Sequence, residues 1–245
     1  MDLGISGRTA AVAAGSAGLG LASAVALAAD GVRVVICGRD QGRLDEALTL
    51  LPSVPGGEHV AVVADVSTPD GASAFVAAAT TALDGSPDIL VTNAGGPPPG
   101  TFASTPIEAY EPALALNLLS IVAMCQAAVP PMLERGWGRV VAITSVSVKQ
   151  PIGTLILSNT ARAGATAFLK TLATEVKEQG VTVNSVLPGL HATDRLKQLH
   201  GGEVTGRVGD PGDFGQVVAF LCSEQAGFVT GAALQVDGGT YAGLL

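Results

Sequence analysis

The chain has 245 residues, 48% of them hydrophobic and 14% charged, and its 21 acidic against 13 basic side chains give a formal net charge of −8. That length fits one α/β domain over residues 1–245, and an acidic chain of pI near 4.7 lacks the basic surface that a nucleic-acid or anionic-membrane partner requires. Cys37, Cys125 and Cys222 show no metal or redox spacing and point to a cytoplasmic, reducing setting, while His59, His191 and His200 form no ligand pattern, so no metal is expected.

Short apolar runs alternate with helical segments from end to end. The spacing predicts strands over 9–14, 32–37, 59–64, 88–92, 138–144, 181–186 and 232–236, with helices near 18–30, 40–51, 69–83, 106–134, 155–179 and 211–223. None of the strands alternates apolar with polar, as expected for a parallel sheet covered on both faces. The fold class is therefore α/β, a Rossmann-type doubly wound parallel sheet of about seven strands in a single domain.

In chain order, the first strand runs into Gly15, Ser16, Gly18, Leu19 and Gly20 and then the first helix, where glycines let a backbone approach a pyrophosphate. The run from Thr9 to Ala29 superficially resembles a signal sequence, but its glycines suit a strand–turn–helix better. The second strand ends at Cys37-Gly38-Arg39 rather than at a carboxylate; Arg39 suits a ribose 2′-phosphate and favours NADP(H) over NAD(H). The alternative is a solvated Arg39 with Asp40 on the ribose. Asp40 and Asp70 are also placed to favour helix N-termini. "GGPPPG" at 95–100 reads as a stiff wall. The run from Pro112 to Leu133 is long enough to span a bilayer, but Asn117, Gln126 and Pro130-Pro131 make it a buried helix of the fold or of an oligomer.

These motifs together resemble a short-chain dehydrogenase/reductase of the single-domain type. The first loop is similar to T-G-x-x-x-G-x-G, aligned from Ala13 to Gly20, with alanines at the threonine and at the first glycine, Ala14. The resemblance implies that Asp65 and Val66 meet the adenine and that Asn93, Ala94 and Gly95 lie beside the cofactor. "VNSVLPGLHATD" is similar to N-x-x-x-PG-x-x-x-T, which brings Pro188, Gly189 and Thr193 to the cofactor. It further implies Asn117 and Ser145 as catalytic residues, and a homotetramer or homodimer through 106–134 and 155–179.

In that family a tyrosine stands thirteen residues after the serine and a lysine four further on. Here those positions are Ser158 and Arg162. A phenol near pH ~10 can be tuned into proton transfer, whereas a serine hydroxyl is a far poorer acid and a guanidinium stays protonated. Arg162 can still serve the cofactor ribose. Losing a positioned general acid costs roughly 10²–10⁴-fold in rate. Three replacements are open: Lys149, His191, or a water held by Ser158, Ser145 and Asn117. The reading is an NADP(H)-dependent oxidoreductase with a non-standard proton donor, acting on a small organic carbonyl, imine or activated alkene. The alternative is a cofactor-binding protein without redox turnover, a sensor or partner subunit. The segments 96–102, 147–157 and 190–207 are the expected substrate walls.

Overall fold

Seven parallel strands, β1 (Thr9–Val12), β2 (Arg33–Gly38), β3 (Val60–Val63), β4 (Ile89–Thr92), β5 (Gly138–Ile143), β6 (Val181–Pro188) and β7 (Ala233–Val236), form one sheet in the order β3-β2-β1-β4-β5-β6-β7. The structure, a computed structural model, describes residues 2–200 and 206–244. Residues 201–205 of the expected wall 190–207 lie outside the described residues. The strand order reverses between β1 and β4, and in a doubly wound sheet such a switch opens a crevice at the carboxyl ends of the strands.

Successive strand residues face opposite helix layers, which explains the missing polar alternation. Ala11, Val35, Leu90, Val140 and Val183 pack with Phe75 of α3 (Pro69–Ala82), Met124 of α5 (Ser120–Arg135) and Leu169 of α6 (Ile156–Val176). The strand residues Ala10, Val34, Ile89, Val141 and Val186, an odd number of positions away, pack with Leu27 of α1 (Gly18–Ala29), Leu44 of α2 (Gln41–Leu48) and Phe214 of α8 (Pro211–Leu221). Both faces are covered, so most inward positions carry apolar side chains, with Thr92, Arg139, Thr182, Asn184 and Ser185 as buried polar exceptions.

Caps fix where the helices begin. Asp40 accepts from Arg43 N at 2.8 Å, Thr68 from Gly71 N at 3.2 Å, and Asp210 from Gly212 N at 2.6 Å, each satisfying a backbone donor of the first turn. Asp70 sits within the first turn of α3 rather than at its cap, where its charge still suits the helix dipole.

The segment expected as one helix over 106–134 is interrupted. A 3-10 turn at Ile107–Ala109 and a short α4 (Tyr110–Leu114) lead into a π turn at Ala115–Leu119 before α5 begins. By length and hydropathy the stretch Ile107–Arg135 could cross a membrane, yet Ile121, Met124, Cys125, Ala128 and Met132 belong to the core beneath it. A further helix, α7 (Asp194–His200), follows β6; its polar sequence has no apolar periodicity to announce it.

At the end of β1, Ala14 adopts φ +48°, a left-handed conformation that Gly takes freely and that a Cβ disfavours by roughly 1–2 kcal/mol. This is the place where the resembling motif carries glycine. Ala14→Gly is expected to stabilise the fold by about 0.5–1 kcal/mol, the relief being partly offset by glycine's unfolded-state entropy. Chemical denaturation checks this; an unchanged or lower midpoint would contradict the strain.

Candidate functional site

The carboxyl ends of β1, β4, β5 and β6 bring most of the expected residues into one cleft. On its β1 side the glycine loop is held by contact. A Cβ on Gly15 would lie 2.8 Å from Ile36 Cγ2, and one on Gly20 would strike the Ala14 carbonyl oxygen and come 2.8 Å from Asn93 Nδ2. Gly18 has φ +57°, with Thr193 Cγ2 just 3.6 Å from where its Cβ would be, so the segment after β6 returns Thr193 to this loop. Ser16 and Leu19 are half-buried beside them. No side chain caps α1 and no acid occupies its first turn, leaving backbone N–H groups and the positive dipole end for an anion. These features fit a dinucleotide pyrophosphate.

At the end of β2, Arg39 is exposed while the Asp40 carboxylate caps α2, with one oxygen committed to Arg43 N. Gly38 lies against Ser16, whose Oγ would be 2.8 Å from an added Cβ. Asp65 is exposed and accepts from Ser67 N at 3.0 Å, and Val66 is buried behind it. Asn93 and Ala94 are half-buried, Gly95 is exposed, and no atom lies within 4 Å of where a Gly95 Cβ would stand. Pro188 and Gly189 follow β6, and Gly189 packs so closely that a Cβ would come 2.8 Å from Asp237 Cα.

The chemical end of the cleft is built around Arg162. It is only 7% exposed, and Nη1 donates to Ile143 O and Thr144 O, both at 3.0 Å. Its remaining N–H groups meet no acceptor among the described residues, and no carboxylate pairs with it. Burial, reinforced by the nearby Arg195 charge, pushes its pKa down to about 10, so it remains protonated at neutral pH. Ser158, 8% exposed, lies one helical turn earlier on the same face and makes no hydrogen bond among the described residues. It sits in the first turn of α6, within the positive end of the helix dipole. Ser145 begins a 3-10 turn at Val146–Val148 and accepts from Ser147 N at 3.1 Å, which leaves its own proton to donate.

The π turn explains Asn117. Its Nδ2 donates to Gly95 O at 2.9 Å, tying the turn to the β4 loop, while its buried Oδ1 has no partner. An unpaired buried oxygen of this kind costs about 1–3 kcal/mol unless a water or ligand satisfies it.

Two of the three replacement donors are engaged elsewhere. His191 is buried against Phe214, ring centroids 5.1 Å apart, with Nδ1 3.3 Å from Gly189 O. Burial lowers its pKa, and it lines a cavity of about 170 Å³ that neither Ser145 nor Ser158 lines. Lys149 places Nζ 5.7 Å from the ring centroid of Tyr241, near the end of the chain. The three thiols are buried and pushed up to about 12, so none is a nucleophile at neutral pH.

Arg195 was not singled out from sequence. It stands in the first turn of α7, beside Gly96, and Nη2 donates to Pro97 O at 3.1 Å. Its only signal is a cation two residues past Thr193, inside an expected wall. The "GGPPPG" loop is indeed anchored: Gly100 N donates to Thr154 O at 2.7 Å and Ile156 N to Gly100 O at 3.2 Å.

The profile of the enoyl-(acyl carrier protein) reductase family matches residues 13–241. An L-rhamnose 1-dehydrogenase (NAD(P)(+)) of Azotobacter vinelandii is 35% identical over 97% of this chain and 98% of its own. The crystal structure of L-sorbose reductase from Gluconobacter frateurii, complexed with NADPH and L-sorbose, is 32% identical, covers 100% of both chains and superposes with TM-score 0.90. An NADPH-bound short chain oxidoreductase from Pseudomonas aeruginosa PAO1, described as containing an atypical catalytic center, is 30% identical over 96% of this chain and 97% of that one, with TM-score 0.87.

The Gly20 contact predicts that Gly20→Ala weakens NADPH binding about 10-fold or more, since one displaced donor to a charged phosphate is worth that much. Cofactor fluorescence measures it, with circular dichroism to check that the fold persists; unchanged affinity would count against this placement of the pyrophosphate.

Proposed function

Because the chain belongs to the short-chain dehydrogenase/reductase family and its relatives include named dehydrogenases and reductases, we propose that it uses NADP(H) and acts on a small organic carbonyl, imine or activated alkene with a proton donor other than tyrosine. The observation that carries this reading is the buried Ser158–Arg162 pair beside Ser145 and Asn117, a site whose frame is complete and whose phenol is missing. NADP(H) is favoured because Arg39 is exposed at the end of β2 while the neighbouring Asp40 is committed to a helix cap.

The nicotinamide, when bound, supplies or accepts the hydride. Gly15, Ser16, Gly18, Leu19 and Gly20 with the N-terminus of α1 would hold the pyrophosphate, Thr193 closing over it. Asp65 and Val66 would flank the adenine, and Asn93, Ala94, Gly95, Pro188 and Gly189 the nicotinamide end. Ser145 donates to the substrate oxygen or nitrogen. Arg162 stays protonated, so it steadies negative charge and a ribose hydroxyl but moves no proton. The proton comes from a water. Among the three replacements, this one is supported by the orphaned Asn117 Oδ1, which needs a donor, and by Ser158, whose hydroxyl is unengaged. Lys149 and His191 are turned to Tyr241 and Phe214 instead.

A homodimer or homotetramer through 106–134 and 155–179 is the proposed assembly, supported by Leu119 of the π turn, 45% exposed, and by the exposed Ala163 and Ala167 of α6. The proposed setting is a reducing cytoplasm, which suits three free thiols.

Two measurements test the proposal. Arg39→Ala is expected to raise the dissociation constant for NADPH about 10- to 100-fold while leaving NADH little changed, the scale of a lost charged hydrogen bond. Equal effects on both cofactors would remove the NADP(H) preference. Ser158→Tyr/Arg162→Lys is expected to raise ketone reduction by about 10²-fold or more, the lower range of a restored general acid. A parent that binds NADPH yet turns over no ketone, imine or enone would instead be the cofactor-binding protein without redox turnover.

A further inference from the structure

Arg162 and Arg195 form the unusual charge feature of the cleft. The chain is acidic overall; Arg8, Arg33, Arg43, Arg135 and Arg139 each have a carboxylate within 4.0 Å, and Arg39 and Arg207, which have none among the described residues, are exposed. Arg162 and Arg195 have none among the described residues, and the Arg195 charge adds to burial in lowering the pKa of Arg162. The adjacent acid, Asp194, is turned away from Arg195, to Arg43 at 3.6 Å and Lys197 at 3.4 Å. Both guanidiniums are held by backbone carbonyls alone, Arg162 by Ile143 and Thr144, Arg195 by Pro97. Gly96 makes room for Arg195, whose Nη2 would be 2.6 Å from a Cβ there, and Gly95 next to it faces open space. A partly desolvated cation without a counter-charge is costly, and an anion seated against Arg195 would relieve that cost.

We propose that the substrate carries a carboxylate and that this group seats against Arg195 beside Gly95 and Gly96, with Arg162 adding positive charge from the β5 side. A guanidinium presents a planar fork of donors that matches a carboxylate, so the anchor fixes orientation as well as affinity. The anchored end then places the reducible bond of the substrate over Ser145 and Ser158. The ligand class is a small organic acid, and the inference rests on the oxidoreductase reading above.

The test begins by confirming NADP⁺ loading by calorimetry. The loaded protein is then titrated with malonate and benzoate and with their amides, malonamide and benzamide. The acids are expected to bind at least about 10-fold more tightly than the amides, the value of one charge-assisted bond. Arg195→Gln is expected to abolish that preference, and Arg195→Lys to retain part of it. Equal affinity for acid and amide in the loaded wild-type protein, or binding of neither, overturns the inference even if neither variant folds. Failure to load the cofactor is read in the first step and overturns the underlying reading with it.

Discussion

A buried guanidinium without a carboxylate partner has to be held by something, and at Arg162 the end of β5 does the holding. Its bonds to Ile143 O and Thr144 O join α6 to the sheet where the strand stops. That junction sets the depth of α6, and with it the position of Ser158 one turn earlier. It also lies directly before Ser145, so one side chain aligns the two hydroxyls of the site. A lysine reaches such a place as a compact point charge. The larger, planar arginine can satisfy two carbonyls and still keep donors for other groups.

The opposite wall follows a different logic, one of contact rather than charge. Gly20 presses against Ala14 and Asn93, Gly15 against Ile36, and Gly189 against Asp237. Side chains there would separate layers that must nearly touch. Ala14 departs from this economy by holding a left-handed turn with a methyl group attached. The loop keeps its shape because its neighbours are bonded on both sides, Ala13 N to Val91 O at 3.0 Å and Gly15 N to Cys37 O at 2.9 Å.

Much of this was legible beforehand. The seven apolar runs became seven strands because both faces of the sheet are covered, a condition that writes itself into composition. Ser158 and Arg162 share one face because α6 is unbroken between them. What could not be read was local geometry without periodicity. The π turn at Ala115–Leu119 lies inside a largely apolar stretch, and its one polar residue, Asn117, is not a helix breaker. Likewise α7 is short, and nothing in its sequence places Arg195 beside Pro97 and Gly96. The engagement of Lys149 with Tyr241 and of His191 with Phe214 joins residues distant in sequence, which spacing alone does not encode.

The π turn has an evolutionary corollary. A π turn amounts to an α-helix carrying one surplus residue, so the segments before and after it are rotated relative to each other by about a hundred degrees. The apolar stripe of α5, from Ile121 to Met132, is thereby uncoupled from the orientation of Asn117. Selection can alter the stripe for packing without turning the amide away from the Gly95 carbonyl, and can alter the amide without disturbing the stripe. The surplus residue thus lets the amide and the stripe face neighbours that a regular helix would not offer both of them at this spacing.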